Sequence, residues 1–540
     1  MGTNSQRTVF VREATGLVRE IGPWPSFLAV WFLVTGGVPI LILEYFSSWP
    51  GANFPVIFAI ALLPSLALAS LYTIFSISMP RSGGDYVFVS RGLNPFLGFV
   101  NSFSLAAAFL ISNGIYAAFA SSYISYQLYA QGIVDNNANL QSLASVVSSP
   151  VVSFGIALAF LLIAFGIAVL RTRNAWRVIF WAGIIALVST LISFIVLATI
   201  NPTTFQTSYN SFITANNATL TSAGYGNLTN YSDTITAGGG VPAGGLLASL
   251  AAFPLAWYSY TWYTLPSVWA GEVKQARRSM PITIVGAVLF IGAYFILFLV
   301  LTIHAFGQPF LTAWSSLAYT SGYPLPATVN LYIPFFSYLV YHNSILMWIM
   351  FIALWLPDVM AFPPLIIATT RYLFSWSFDR LLPELVARVS MRTNTPIIAS
   401  LIALIVSIFG AAIQVFAPSA TPGVIVPIFT FGYILPAITG IVFPYLRKGM
   451  YESAFMYKRK VAGLPTITWL GIISLISLII GTYALFGPFD YGGFASFKLV
   501  DYLFYALAYG IGIVIFLVAW GIRKRQGVQI SLAFSEIPPE

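Results

Sequence analysis

The chain is 540 residues long, 58% hydrophobic and 7% charged, with a mean hydropathy of +0.86. Soluble domains carry about 25% charged residues, so this composition excludes an ordinary water-covered globule and implies that lipid covers most of the surface. The absence of cysteine excludes disulfides, thiolate metal sites and Cys nucleophiles, and the net charge of +9 sits in short segments between apolar runs rather than in a patch suited to nucleic acid.

Residues 1–25 are polar and charged and carry no cleavable signal pattern, because the first apolar run is too long for one. Apolar stretches of spanning length then predict helices at 26–46, 55–78, 96–126, 151–170, 178–200, 243–269, 281–305, 338–370, 397–416, 423–446, 465–486 and 500–522. The fold class expected is an all-α polytopic membrane protein of about twelve transmembrane helices. With the N-terminus in the cytoplasm, every lysine and arginine except Lys498 falls on the cytoplasmic side, as the positive-inside rule demands of an even number of spans. Both termini, including the tail 523–540, are therefore expected in the cytoplasm of a multi-pass protein of the cell membrane. The segment 201–242 has no lysine or arginine and is rich in Asn, Thr, Ser and Gly, which predicts an extracellular polar loop. Three sequons, at Asn217, Asn227 and Asn230, lie within it.

Two spans carry helix breakers near their centres. Span 1 reads LVTGGVPI, with Thr35, Gly36, Gly37 and Val38 ahead of Pro39; span 6 reads FPLAWYSYTWYTLP, with Pro254 and Pro266 bracketing Tyr258, Ser259, Tyr260, Thr261 and Trp262. Glycine and proline at such positions predict unwound backbone, whose free N–H and C=O groups suit a small ligand in mid-membrane. Asp358, in LWLPDVMAF of span 8, is an acid well inside an apolar span. A buried carboxylate costs several kcal/mol unless it is protonated or paired, which makes Asp358 the candidate ion-coupling residue. Glu44, near the outer end of span 1, is read as solvated at the interface and given no role. His304 and His342 are read as polar anchors, with no metal or cofactor implied.

Between spans 2 and 3 the chain reads SMPRSGGDYVFVSRGLNPFLGF, a charged, glycine-rich interruption (Ser78–Phe99). Pro80, Gly83, Gly84, Tyr86, Arg91, Pro95, Phe96 and Gly98 resemble the signature at this position in the amino acid–polyamine–organocation transporter superfamily. AGEVKQARRSMPITI after span 6, RYLFSWSFDRLLPELVARVSMRTNTP after span 8 and the N-terminal GLVREIGPW are similar to that superfamily in the same order. The resemblance implies two inverted five-helix repeats, at 26–200 and 243–446, then a loop at 447–464 and two further helices within 465–522. It also implies that amides at the span 1 break hold a substrate carboxylate, with Gly36 and Gly37 in the usual Ser-Gly positions and Thr35 replacing a glycine. Trp262 stands where relatives favour small residues, and Tyr258 and Tyr260 would serve as aromatic lids.

The function expected is therefore secondary active transport of an amino acid or related amine by alternating access, coupled to H⁺ rather than Na⁺ through Asp358. The absence of an acid around span 6 favours neutral amino acids. A substrate exchanger or a transporter-like sensor is the alternative on the same fold. An enzyme is disfavoured: SGGD resembles the Gly-x-Gly-Asp of intramembrane aspartyl proteases, but Ser82 replaces the first glycine and no partner Tyr-Asp lies in a span.

Overall fold

The computed structural model describes residues 16–222, 229–240, 244–318, 332–422, 426–453, 460–486, 498–527 and 530–534. Prolines and asparagines set most helix starts, because Pro is tolerated where no intrahelical N–H bond is lost and an Asn carboxamide accepts from a first-turn amide. The broken first span is α1 (Pro23–Thr35) and α2 (Val38–Glu44), followed by α3 (Phe54–Ser78), whose start is capped by Asn53. After the short α4 (Asp85–Gly92), Asn94 caps α5 (Pro95–Val134) through bonds to the Phe96 and Leu97 amides. The first half ends with α6 (Ala138–Ser148), α7 (Pro150–Val169) and α8 (Thr172–Thr199).

The segment expected to be a polar loop is largely helical. It forms α9 (Pro202–Ser222) and α10 (Tyr231–Ala237). Phe205, Tyr209, Phe212 and Ile213 recur at helical spacing and are buried, a stripe that the Asn/Thr-rich average conceals. Phe205 and Tyr209 pack with Tyr231, Phe310, Trp314 and Phe336 into an aromatic cap, and Phe212 packs on Phe335. Asn230 is exposed and caps α10, its amide donating to Asp233; Asn227 and the side chain of Asn217 lie outside the described residues.

The sixth stretch is not one helix. It consists of α11 (Leu246–Ala251), α12 (Phe253–Ser259), irregular backbone and a tighter helical run at Leu265–Glu272. The remaining elements are α13 (Ala276–Pro281), which runs through a π-turn into α14 (Ala287–Phe306), then α15 (Gln308–Ala318) and α16 (Ile333–Tyr341). The eighth span was expected at 338–370. It instead begins after a left-handed His342 as α17 (Ser344–Phe378), which continues through Pro357, Pro363 and Pro364. Finally come α18 (Ile397–Phe416), α19 (Val426–Leu446), α20 (Lys448–Ser453), a two-residue hairpin pairing Lys460–Val461 with Leu464–Pro465, α21 (Thr466–Phe486), α22 (Leu499–Arg525) and α23 (Ile530–Ala533).

Among the described residues, eleven helices are long and apolar enough to cross a membrane, and the shorter apolar run Leu246–Ser259 is the outer part of the broken sixth span. The protein is thus an all-α polytopic membrane protein of about twelve helices. Large apolar side chains on α8, α14, α18 and α22 face outward, as a lipid-covered surface requires.

Candidate functional site

The two interruptions lie against one cavity. At the first, the Gly36 N–H still bonds to the Phe32 carbonyl, but Gly37 has φ +70°, a left-handed conformation that glycine adopts without the usual steric cost. The helical path stops there and resumes at Val38. The break also brings two backbones together: a Cβ on Gly36 would stand 2.8 Å from the Cα of Asp358 on α17. At the second interruption Trp262 has φ +78°, costly for a bulky residue, between the end of α12 and the tighter run that follows.

The cavity between them has a volume of about 460 Å³. Gly36, Gly37 and Val38 line it from the first break, Tyr258, Ser259, Thr261 and Trp262 from the second, and Asp358 from α17. The carboxylate of Asp358 is buried, and its Oδ2 has no hydrogen-bond partner among the described residues. The ring of Trp262 is boxed by Phe109, Tyr116 and Phe429, and its backbone N–H donates to the hydroxyl of Tyr433.

Two expected site residues stand apart from the lining. The Thr35 hydroxyl donates to the Trp31 carbonyl one turn back, which satisfies it inside its own helix. Tyr260 lies beyond the end of α12, where the turning chain sends its ring toward α3 and α14; it donates to the Phe58 carbonyl and packs on Phe295.

The opposite wall was missed in the sequence. Ser112, Tyr116, Phe119, Tyr123 and Tyr126 of α5 line it, at spacings of four and three that put them on one helix face. That stripe was legible as a pattern, but not as distinct from packing in a chain that is 16% aromatic. Glu44 also lines the cavity, together with Gln414, Pro418, Thr421 and the exposed Lys498. These residues sit at the ends of α2 and α18 and the start of α22, so the cavity reaches the end of the molecule opposite its basic segments.

At the basic end the protein is closed by bonds between distant segments. Gly84, φ +48°, approaches the 267–268 backbone so tightly that a Cβ would meet Ser267 Oγ at 2.6 Å, and the Gly83 N–H bonds to the Val268 carbonyl at 2.8 Å. Arg91 and Asp379 form a bidentate pair at 2.6 and 2.8 Å, and Tyr86 donates to the same carboxylate at 2.6 Å. Glu272 and Arg371 form a second bidentate pair at 2.7 Å on both arms. All four charged residues are buried. Asp85 accepts from the Tyr372 hydroxyl, and burial pushes its carboxyl up to about 7. The N-terminal segment joins through the Ile21 N–H to the Glu272 carbonyl and the Lys274 N–H to the Ile21 carbonyl. The tail returns to cover the first pair, with Phe534 over the Arg91 guanidinium at 4.9 Å.

A family model described as amino acid permease matches residues 24–521. No curated protein matches the chain.

Proposed function

The chain belongs to the amino acid permease family, and on that premise we propose that it carries an amino acid or a related amine across the cell membrane by alternating access. One observation supports this above the others: a cavity of small-molecule size lies where two apolar helices both lose their helical path. Val38 and Ile40, in the first turn after the Gly36–Gly37 break, are positioned to offer amides to a carboxylate, while Pro39 has none to offer. The irregular backbone from Tyr260 to Thr264 offers carbonyls to an ammonium. Tyr116, Tyr258 and Trp262 close around the remaining side chain.

Asp358 carries the coupling ion in this reading, H⁺ rather than Na⁺. It abuts the break, faces the cavity and leaves one oxygen without a partner among the described residues, so a proton there removes a charge that no described residue pairs with. The tied basic end and the cavity reaching the other end correspond to a carrier open on one side, the basic end being cytoplasmic. The five-helix repeats at 26–200 and 243–446 supply the symmetry for the reverse state.

Purified protein in liposomes, offered a panel of radiolabelled amino acids and amines under separate H⁺ and Na⁺ gradients, tests the reading. Accumulation driven by an inward H⁺ gradient is the expected result. If no compound is taken up, exchanged or bound, the transport function is refuted and the sensor alternative takes its place.

A further inference from the structure

The cavity holds a second carboxylate. Glu44 ends α2, the helix that starts at the break, and it lines the same cavity as Asp358. We infer that Glu44 is the subsite for a distal cation of the substrate, so that the preferred substrates are amino acids with a long cationic side chain. This rests on the transport reading above, and it replaces the expectation of neutral amino acids, which considered only the acids around span 6.

Length supports it first. Seven helical residues separate Gly37 from the end of α2, a rise of about 10 Å. An extended lysine side chain reaches about 6 Å from its Cα, and a glutamate side chain about 4 Å, given C–C bonds of about 1.5 Å. A substrate anchored at the break by its carboxylate therefore brings a terminal ammonium or guanidinium to Glu44.

Surroundings support it next. Tyr45, Tyr123 and Tyr126 lie within electrostatic reach of the Glu44 carboxylate, and aromatic faces attract cations. The balance of charge points the same way. Asp358 is buried without a partner for Oδ2, and once a proton neutralises it Glu44 is the carboxylate left in the lining. Lys498 shares the rim, but it is exposed, so water screens its pull on the half-buried Glu44 more than it screens a substrate cation held inside the cavity.

The test uses two nearly isosteric probes, arginine and citrulline, which differ mainly by the charge at the far end. In proteoliposomes the intact protein is expected to take up arginine at least about tenfold more efficiently than citrulline, the effect of one charge-assisted contact. Glu44→Gln should lower arginine uptake relative to citrulline uptake by a similar factor, and Glu44→Asp should restore part of that ratio. Equal uptake of the two probes by the intact protein overturns the inference without needing a variant. So does a Glu44→Gln protein that loses both probes equally. Uptake of neutral amino acids with no cation preference sinks only this inference, whereas absence of all uptake sinks the transport reading beneath it.

Discussion

Replacing Asp379 by asparagine keeps the size of the side chain and removes the charge that faces Arg91. The guanidinium stays fully buried, and of the two oxygens its arms meet at 2.6 and 2.8 Å one becomes an NH2 that cannot accept, while its Nε has no partner among the described residues. Breaking a buried pair by removing one member costs about 3–5 kcal/mol. At about 1.4 kcal/mol per factor of ten, the closed basic end loses a hundredfold to several thousandfold in population relative to any state that hydrates Arg91. The chain has no cysteine, so a single Ser267→Cys reporter, buried beneath Gly84, reads that opening as its labelling rate with a membrane-impermeant maleimide. Labelling should accelerate by at least about a hundredfold in Asp379→Asn. Replacing the pair together, Arg91→Met with Asp379→Leu, should bring the rate back toward that of the intact protein, since an apolar pair has no charge to desolvate. Unchanged labelling in the single variant, or a double variant as fast as the single, refutes the reasoning.

Gly36→Ala forces a Cβ to 2.8 Å from the Asp358 Cα and 3.1 Å from the Phe32 carbonyl oxygen, both backbone atoms; a loss of about 1–3 kcal/mol in stability, with weakened substrate binding, is expected by thermal unfolding with and without substrate. Asp358→Asn should abolish accumulation driven by a pH gradient while leaving exchange of substrate between equal pH values; retained accumulation removes Asp358 from the coupling step. Burial holds the Asp85 carboxyl near 7, above its ordinary value of about 4, so its ionisation opposes the closed basic end. Closure should therefore strengthen as pH falls through 7 toward 4 and level off at its weakest above 7. Labelling of the Ser267→Cys reporter, normalised to a free thiol at each pH, should slow from pH 8 to pH 6, and Asp85→Asn should flatten that slope.

Local breakers were legible and long-range partners were not. Gly36-Gly37-Val38-Pro39 marks the first interruption because each residue type has a backbone consequence that can be read in place. The second was bracketed by Pro254 and Pro266, but the direction in which each side chain leaves an irregular segment is set by its packing. That is why Tyr260 turns to Phe58 while Ser259 and Thr261, its neighbours, line the cavity. Helix α9 escaped notice because composition averages over faces, whereas four spaced apolar residues suffice to dock it. Arg91 and Asp379 are 288 residues apart, and no local pattern pairs them.

The closed end is built from charge in a molecule that otherwise avoids it, and the energetics of buried pairs explain why that suits a carrier. A fully packed apolar seam would add stability at every contact and resist opening. A buried ion pair nearly breaks even, because the attraction between the charges is offset by their lost hydration. It therefore specifies one closed geometry strongly, since any misplacement leaves a charge uncompensated, while adding little to its depth. Arg91–Asp379 and Glu272–Arg371 join α4 to α17 and α17 to the segment after the second break, so both pairs bridge elements that the proposed alternating access would separate. The quantity that changes between the closed and open basic end is then the hydration of these four side chains. A variant that replaces both pairs with well-packed apolar residues should fold at least as stably and yet transport more slowly, because its closed end has become harder to open.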